Sequence, residues 1–124
     1  LLASASFSAT AALSPFQEKV LATIEMEHRT EADTERDRNR DPIYALDFFG
    51  LKEDMKVIEF APGNGWYTKI LAPLLKDKGE LHLAYRDEWL NQMDTLLALE
   101  PMNKAKKLPI ELDWNNKEQQ YQLG

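Results

Sequence analysis

The chain has 124 residues, 44% of them apolar, a formal net charge of -6 and no cysteine. That is enough for one modest domain with a real core and too little for two. The acidic balance argues against a large nucleic-acid footprint, which needs clustered Lys and Arg, and the lack of cysteine excludes disulfides and cysteine nucleophiles.

In chain order, the first thirteen residues, LLASASFSATAAL, are small, apolar and uncharged. They have the character of the back end of a secretory signal peptide with Ala9-x-Ala11 as its cleavage site, and they are too short to cross a bilayer. Residues 1–13 are therefore expected to be a leader remnant of an exported, periplasmic protein with no stable membrane insertion once the leader is removed. A plain Ala/Ser leader is the alternative.

Ser14-Pro15 reads as N-cap and first helical residue, and Phe16, Val20, Leu21 and Ile24 share one face of the helix that follows. From Glu25 to Asp41, eleven of seventeen residues are charged, seven acids and four arginines. This segment reads as a solvated helix or connection, with a lid carrying Arg36, Arg38 or Arg40 into a site as the functional alternative. Asp41-Pro42 repeats the cap-and-proline signal for a short helix bearing Ile43, Leu46, Phe48 and Phe49, closed by Gly50. Residues 14–55 are thus expected to form a helical N-terminal segment.

Residues 56–124 read as the first half of a Rossmann-like domain. A strand over 56–61 runs into a small-residue turn, Pro62-Gly63-Asn64-Gly65. Then Tyr67, Ile70, Leu71 and Leu74 recur at helical spacing, with Pro73 expected to kink or end the helix near Ala72. A second strand is expected at Leu81–Tyr85, a helix from about Asp87 with Leu90, Met93 and Leu97 inward, and a third strand at Leu108–Leu112. Strands alternating with helices predict an α/β fold built on a parallel sheet with flanking helices, of which about three strands are present. Strand 56–61 is then left with an unpaired edge.

The turn after the first strand exposes backbone N–H groups at a helix N-terminus, a common seat for a ligand. The dinucleotide fingerprint places its three glycines at Ala61, Gly63 and Trp66, and Trp66 defeats the close helix–strand packing that the third glycine provides. Glu59, just before the turn, repels a pyrophosphate and suits a ligand carrying an amino group and a sulfonium.

Glu59-Phe-Ala-Pro-Gly-Asn-Gly65 resembles the first motif of class I S-adenosylmethionine-dependent methyltransferases, acid-x-G-x-G-x-G, with Ala61 in place of the first glycine. More narrowly, DRNRDPIYALDFFGLKEDMKVIEFAPGNGWYTKILAP, residues 37–73, is similar to a bacterial family of predicted methyltransferases with signal peptides and a PGxGWYT turn. The resemblance implies S-adenosylmethionine as cofactor and a small molecule as methyl acceptor. It implies that Glu59 holds the methionine amino end and that Ala61, Pro62, Gly63, Asn64, Gly65 and the Trp66 N–H lie under the cofactor. The acid expected on the ribose falls on Tyr85, leaving Asp87 as the nearest carboxylate, or else as a helix N-cap. Asp113 matches the acid expected near adenine, or is a plain strand-end turn. The acceptor site, and any catalytic residue, would follow a fourth strand. A non-catalytic binding module of the cell envelope and an NAD-dependent oxidoreductase remain the alternatives. His28 and His82 lack the spacing of a metal site.

Overall fold

A computed structural model describes residues 12–111. Within it, helix α1 spans Pro15–Ile24, α2 Glu31–Arg40 and α3 Pro42–Phe48. They are followed by strand β1 at Lys56–Phe60, α4 at Thr68–Leu75, β2 at Glu80–Tyr85, α5 at Asp87–Asn91, α6 at Asp94–Leu97, a 3-10 turn at Glu100–Met102 and β3 at Lys106–Pro109. The strands form one parallel sheet in the order β1-β2-β3. The α/β, Rossmann-like expectation therefore holds, preceded by a helical segment. No helix among the described residues is long and apolar enough to cross a membrane.

Local chemistry sets the helix ends. Ser14 caps α1 through a reciprocal box with Gln17, and Thr30 caps α2 through the same device with Asp33. Asp41 ends α2 and begins α3, its carboxylate accepting from the Tyr44 N–H. Past α3, the Gly50 N–H bonds to the Asp47 carbonyl and the Leu51 N–H to the Leu46 carbonyl, which satisfies two of the carbonyls a helix end leaves free.

The core lies between α1, α3 and α4 and one face of the sheet. Val20, Leu46, Ile70, Leu75, Leu81, Leu83, Leu90 and Met102 are among its buried members. Parallel pairing sets Val57 beside Leu81 and Glu59 beside Leu83, so Glu59 is on the strand face that meets the core. The opposite face carries Ile58, Phe60 and Leu108, all exposed.

Three expectations need correction. The helix bearing Pro73 runs on to Leu75. Proline removes the N–H that the Lys69 carbonyl would have accepted from, and the Nε2–H of His28 donates to that carbonyl instead, at 2.7 Å. The helix expected from Asp87 is broken in two, because Gln92 and Met93 bond three residues back rather than four. Strand β3 begins at Lys106, two residues earlier than Leu108; as an edge strand it tolerates lysines that an apolar pattern passes over. Phe48 and Phe49, read as part of the short apolar helix, are exposed and form an aromatic cluster with Tyr44. Most of the leader, and Leu112 of the expected third strand, lie outside the described residues.

Candidate functional site

The end of β1 points a carboxylate toward the start of α4. Glu59 Oε1 accepts a hydrogen bond from the Thr68 hydroxyl at 2.6 Å, and Thr68 is fully buried. Burial pushes the Glu59 carboxyl up to about 7 against the lowering effect of the Thr68 bond. Glu59 forms no ion pair among the described residues. It is a half-buried acid that lacks a cation.

After Phe60 the chain turns sharply. Ala61 takes φ 51°, a left-handed conformation that costs a residue with a Cβ about 1–2 kcal/mol. A glycine there would avoid that cost, which gives a physical reason for the glycine of the motif that Ala61 departs from. The Ala61 N–H is held by the Ala84 carbonyl at 3.0 Å, tying the turn to the end of β2. Gly63 and Gly65 also have positive φ, 57° and 81°, but their surroundings differ. A Cβ on Gly63 would meet nothing within 4 Å, whereas one on Gly65 would lie 3.0 Å from Leu96 Cδ2 and 3.4 Å from Met93 Cε. Gly63 therefore offers bare backbone to open space, while Gly65 is a packing glycine. The N–H groups of Gly63 and Asn64 have no hydrogen-bond partner among the described residues.

Two cavities meet at this turn. The first, about 670 Å³, is bordered by Arg36, Arg40, Glu59, Phe60, Ala61 and Trp66. The second, about 520 Å³, is bordered by His28, Thr30, Lys69, Tyr85 and Trp89. Pro62, Gly63 and Asn64 line both. The structure thus brings Glu59, residues 61–64 of the turn and Trp66 together, while Gly65 lines neither cavity. It does not bring in Asp87, which lines neither cavity; it is the first residue of α5, and Arg86 is the N-cap. Asp87 accepts from the Asn91 side-chain amide and borders a separate cavity of about 510 Å³ with Glu88 and Ile110. Tyr85 faces the second cavity in its stead. Asp113 is outside the described residues.

The Trp66 side chain is 3% exposed and donates from Nε1 to the Asp33 carbonyl at 3.0 Å. It therefore packs against α2, in the charged segment. The same segment is anchored a second time by Asp33, whose carboxylate accepts from Lys69 Nζ at 2.6 Å in a buried pair. Burial would raise the Asp33 carboxyl, but the bonds from Lys69 and Thr30 outweigh it and hold the carboxyl below its ordinary value. Arg29, buried, forks onto both Asp37 oxygens at 2.7 Å. These anchors escaped the sequence reading, although Lys69 gave a signal: it is the sole charged residue from Trp66 to Leu75 and needed a partner. Of the candidate lid residues, Arg36 and Arg40 reach the first cavity and Arg38 does not line it.

No family model, curated protein or solved structure matches the chain.

Proposed function

We propose that the chain is the cofactor-binding part of an exported, periplasmic S-adenosylmethionine-dependent methyltransferase that acts on a small-molecule acceptor. The observation that carries this reading is Glu59, a desolvated carboxylate without a cation at the mouth of a cavity beside the Gly63 backbone. A carboxylate raised in this way is stabilised by an ammonium and opposes a phosphate. Glu59 would hold the amino end of the cofactor, and Gly63 and Asn64 would offer their N–H groups where the ligand crosses the turn. Tyr85 and Trp89 would border its adenosine end in the second cavity. The bound cofactor supplies an electrophilic methyl group on its sulfonium. The protein supplies orientation, which is the main requirement of such a transfer.

A second reading, a binding module that keeps the fold without catalysis, is favoured by the tyrosine at position 85 and by the placement of Asp87 away from both cavities. An NAD-dependent oxidoreductase is disfavoured by Trp66 at the place of the fingerprint's third glycine and by Glu59, whose ionised form repels a pyrophosphate. Calorimetric titration of the chain with S-adenosylmethionine, S-adenosylhomocysteine and NAD tests the cofactor assignment. The expected result is saturable binding of the first two and none of NAD. Tighter binding of NAD, or binding of none of the three, would overturn it.

A further inference from the structure

Helix α2 contributes two cations to the same cavity that holds Glu59. Arg36 and Arg40 are four residues apart, hence neighbours on one helix face. Among the described residues neither forms an ion pair, in contrast to Arg29, which is engaged by Asp37. Arg40 is held from one side, its guanidinium carbon 4.8 Å from the centre of the Trp66 ring. That ring is itself fixed by its bond to the Asp33 carbonyl, and α2 is anchored through Asp33 to Lys69. The guanidinium is therefore positioned by a rigid partner while its donor edge stays available. Glu59 borders the same space and pairs with neither arginine.

An unpaired anion and two unpaired cations around one cavity match a ligand that carries both charges. We infer that Arg36 and Arg40 form a carboxylate subsite, so that the first cavity takes an α-amino-carboxylate head group with its ammonium toward Glu59 and its carboxylate toward the two guanidiniums. Guanidinium suits this role because its fork can donate two parallel hydrogen bonds to one carboxylate. The inference rests on the cofactor reading above and deepens it, by assigning the methionine end of the cofactor to this cavity and its carboxylate to α2.

The test uses the full chain, Arg36→Gln, Arg40→Gln and the double variant, titrated with S-adenosylhomocysteine and with 5′-methylthioadenosine, which lacks the amino-carboxylate. Arg36→Gln leaves the Trp66 contact untouched, and circular dichroism reports whether Arg40→Gln is folded. The expected result is a loss of about tenfold per arginine for S-adenosylhomocysteine, about 1.4 kcal/mol, with 5′-methylthioadenosine bound equally by all four proteins. If folded variants bind S-adenosylhomocysteine as the parent does, the subsite is refuted and the cofactor reading stands. If both ligands weaken equally, the arginines act on the fold and not on the head group, which also refutes it. If the parent binds neither ligand, the cofactor reading fails and the subsite with it.

Discussion

Glu59 is the residue whose environment and chemistry disagree most. Its carboxyl titrates near 7, against 4.5 in the unfolded chain, because burial penalises the charged form. The folded state therefore holds a proton that the unfolded state has already lost between those values. Its contribution to stability is complete below about pH 4.5 and is lost as pH rises through about 7, a change of up to about 3 kcal/mol. Glu59→Gln keeps the Thr68 contact and has no proton to lose, so the variant's stability should be flat over this interval while the parent's falls. Chemical denaturation at several pH values measures both. Parallel curves for parent and variant would mean that Glu59 is ionised in the folded protein throughout. The sequence located this acid by its position before the turn. That no described cation pairs with it was not legible, because that depends on which side chains the fold brings near it.

At the scale of elements, the N-terminal helices are part of the site. The sequence read residues 25–41 as solvated because 11 of 17 are charged, yet three of those charges are consumed internally, Arg29 and Asp37 by each other and Asp33 by Lys69. Periodicity sees composition along one segment and cannot see a lysine that arrives from 36 residues away. Caps and strands were legible, since Ser14-Pro15, Asp41-Pro42 and the apolar run of β1 act locally. The continuation of α4 past Pro73 was not, since it depends on His28 replacing the missing donor. That substitution of donors makes a sharp prediction. His28→Ala should cost about 1–3 kcal/mol by leaving the Lys69 carbonyl unpaired. In a Pro73→Ala background, where residue 73 regains its N–H, the same change should cost less, with a coupling of about 1–2 kcal/mol in a double-mutant cycle. Additive losses would show that His28 contributes only packing.

For the molecule as a whole, the described residues cover one face of the sheet and leave Ile58, Phe60 and Leu108 of the other exposed. Ile58 and Phe60 are 61% and 52% exposed on β1, which among the described residues is also an open edge of the sheet. Apolar side chains beside unpaired strand N–H and C=O groups invite pairing with another copy. The chain should self-associate with rising concentration, and Ile58→Lys should reduce this by setting a charge on the edge. Sedimentation velocity over a concentration series measures it, and a parent that stays monomeric throughout would show that the face is harmless as it stands.

If Glu59 receives the ammonium of a cofactor lying across the 61–65 turn, as proposed, binding must change the number of protons the protein holds, and proton counting measures that change. At about pH 6 the carboxyl of the free protein is mostly protonated, and an arriving ammonium should expel that proton. Calorimetric titration with S-adenosylhomocysteine at that pH, in two buffers of different ionisation heat, should show release of close to one proton per ligand bound. 5′-Methylthioadenosine, which lacks the ammonium, should release none. No binding of S-adenosylhomocysteine, or binding with the same proton count as 5′-methylthioadenosine, would mean that Glu59 does not receive the ammonium.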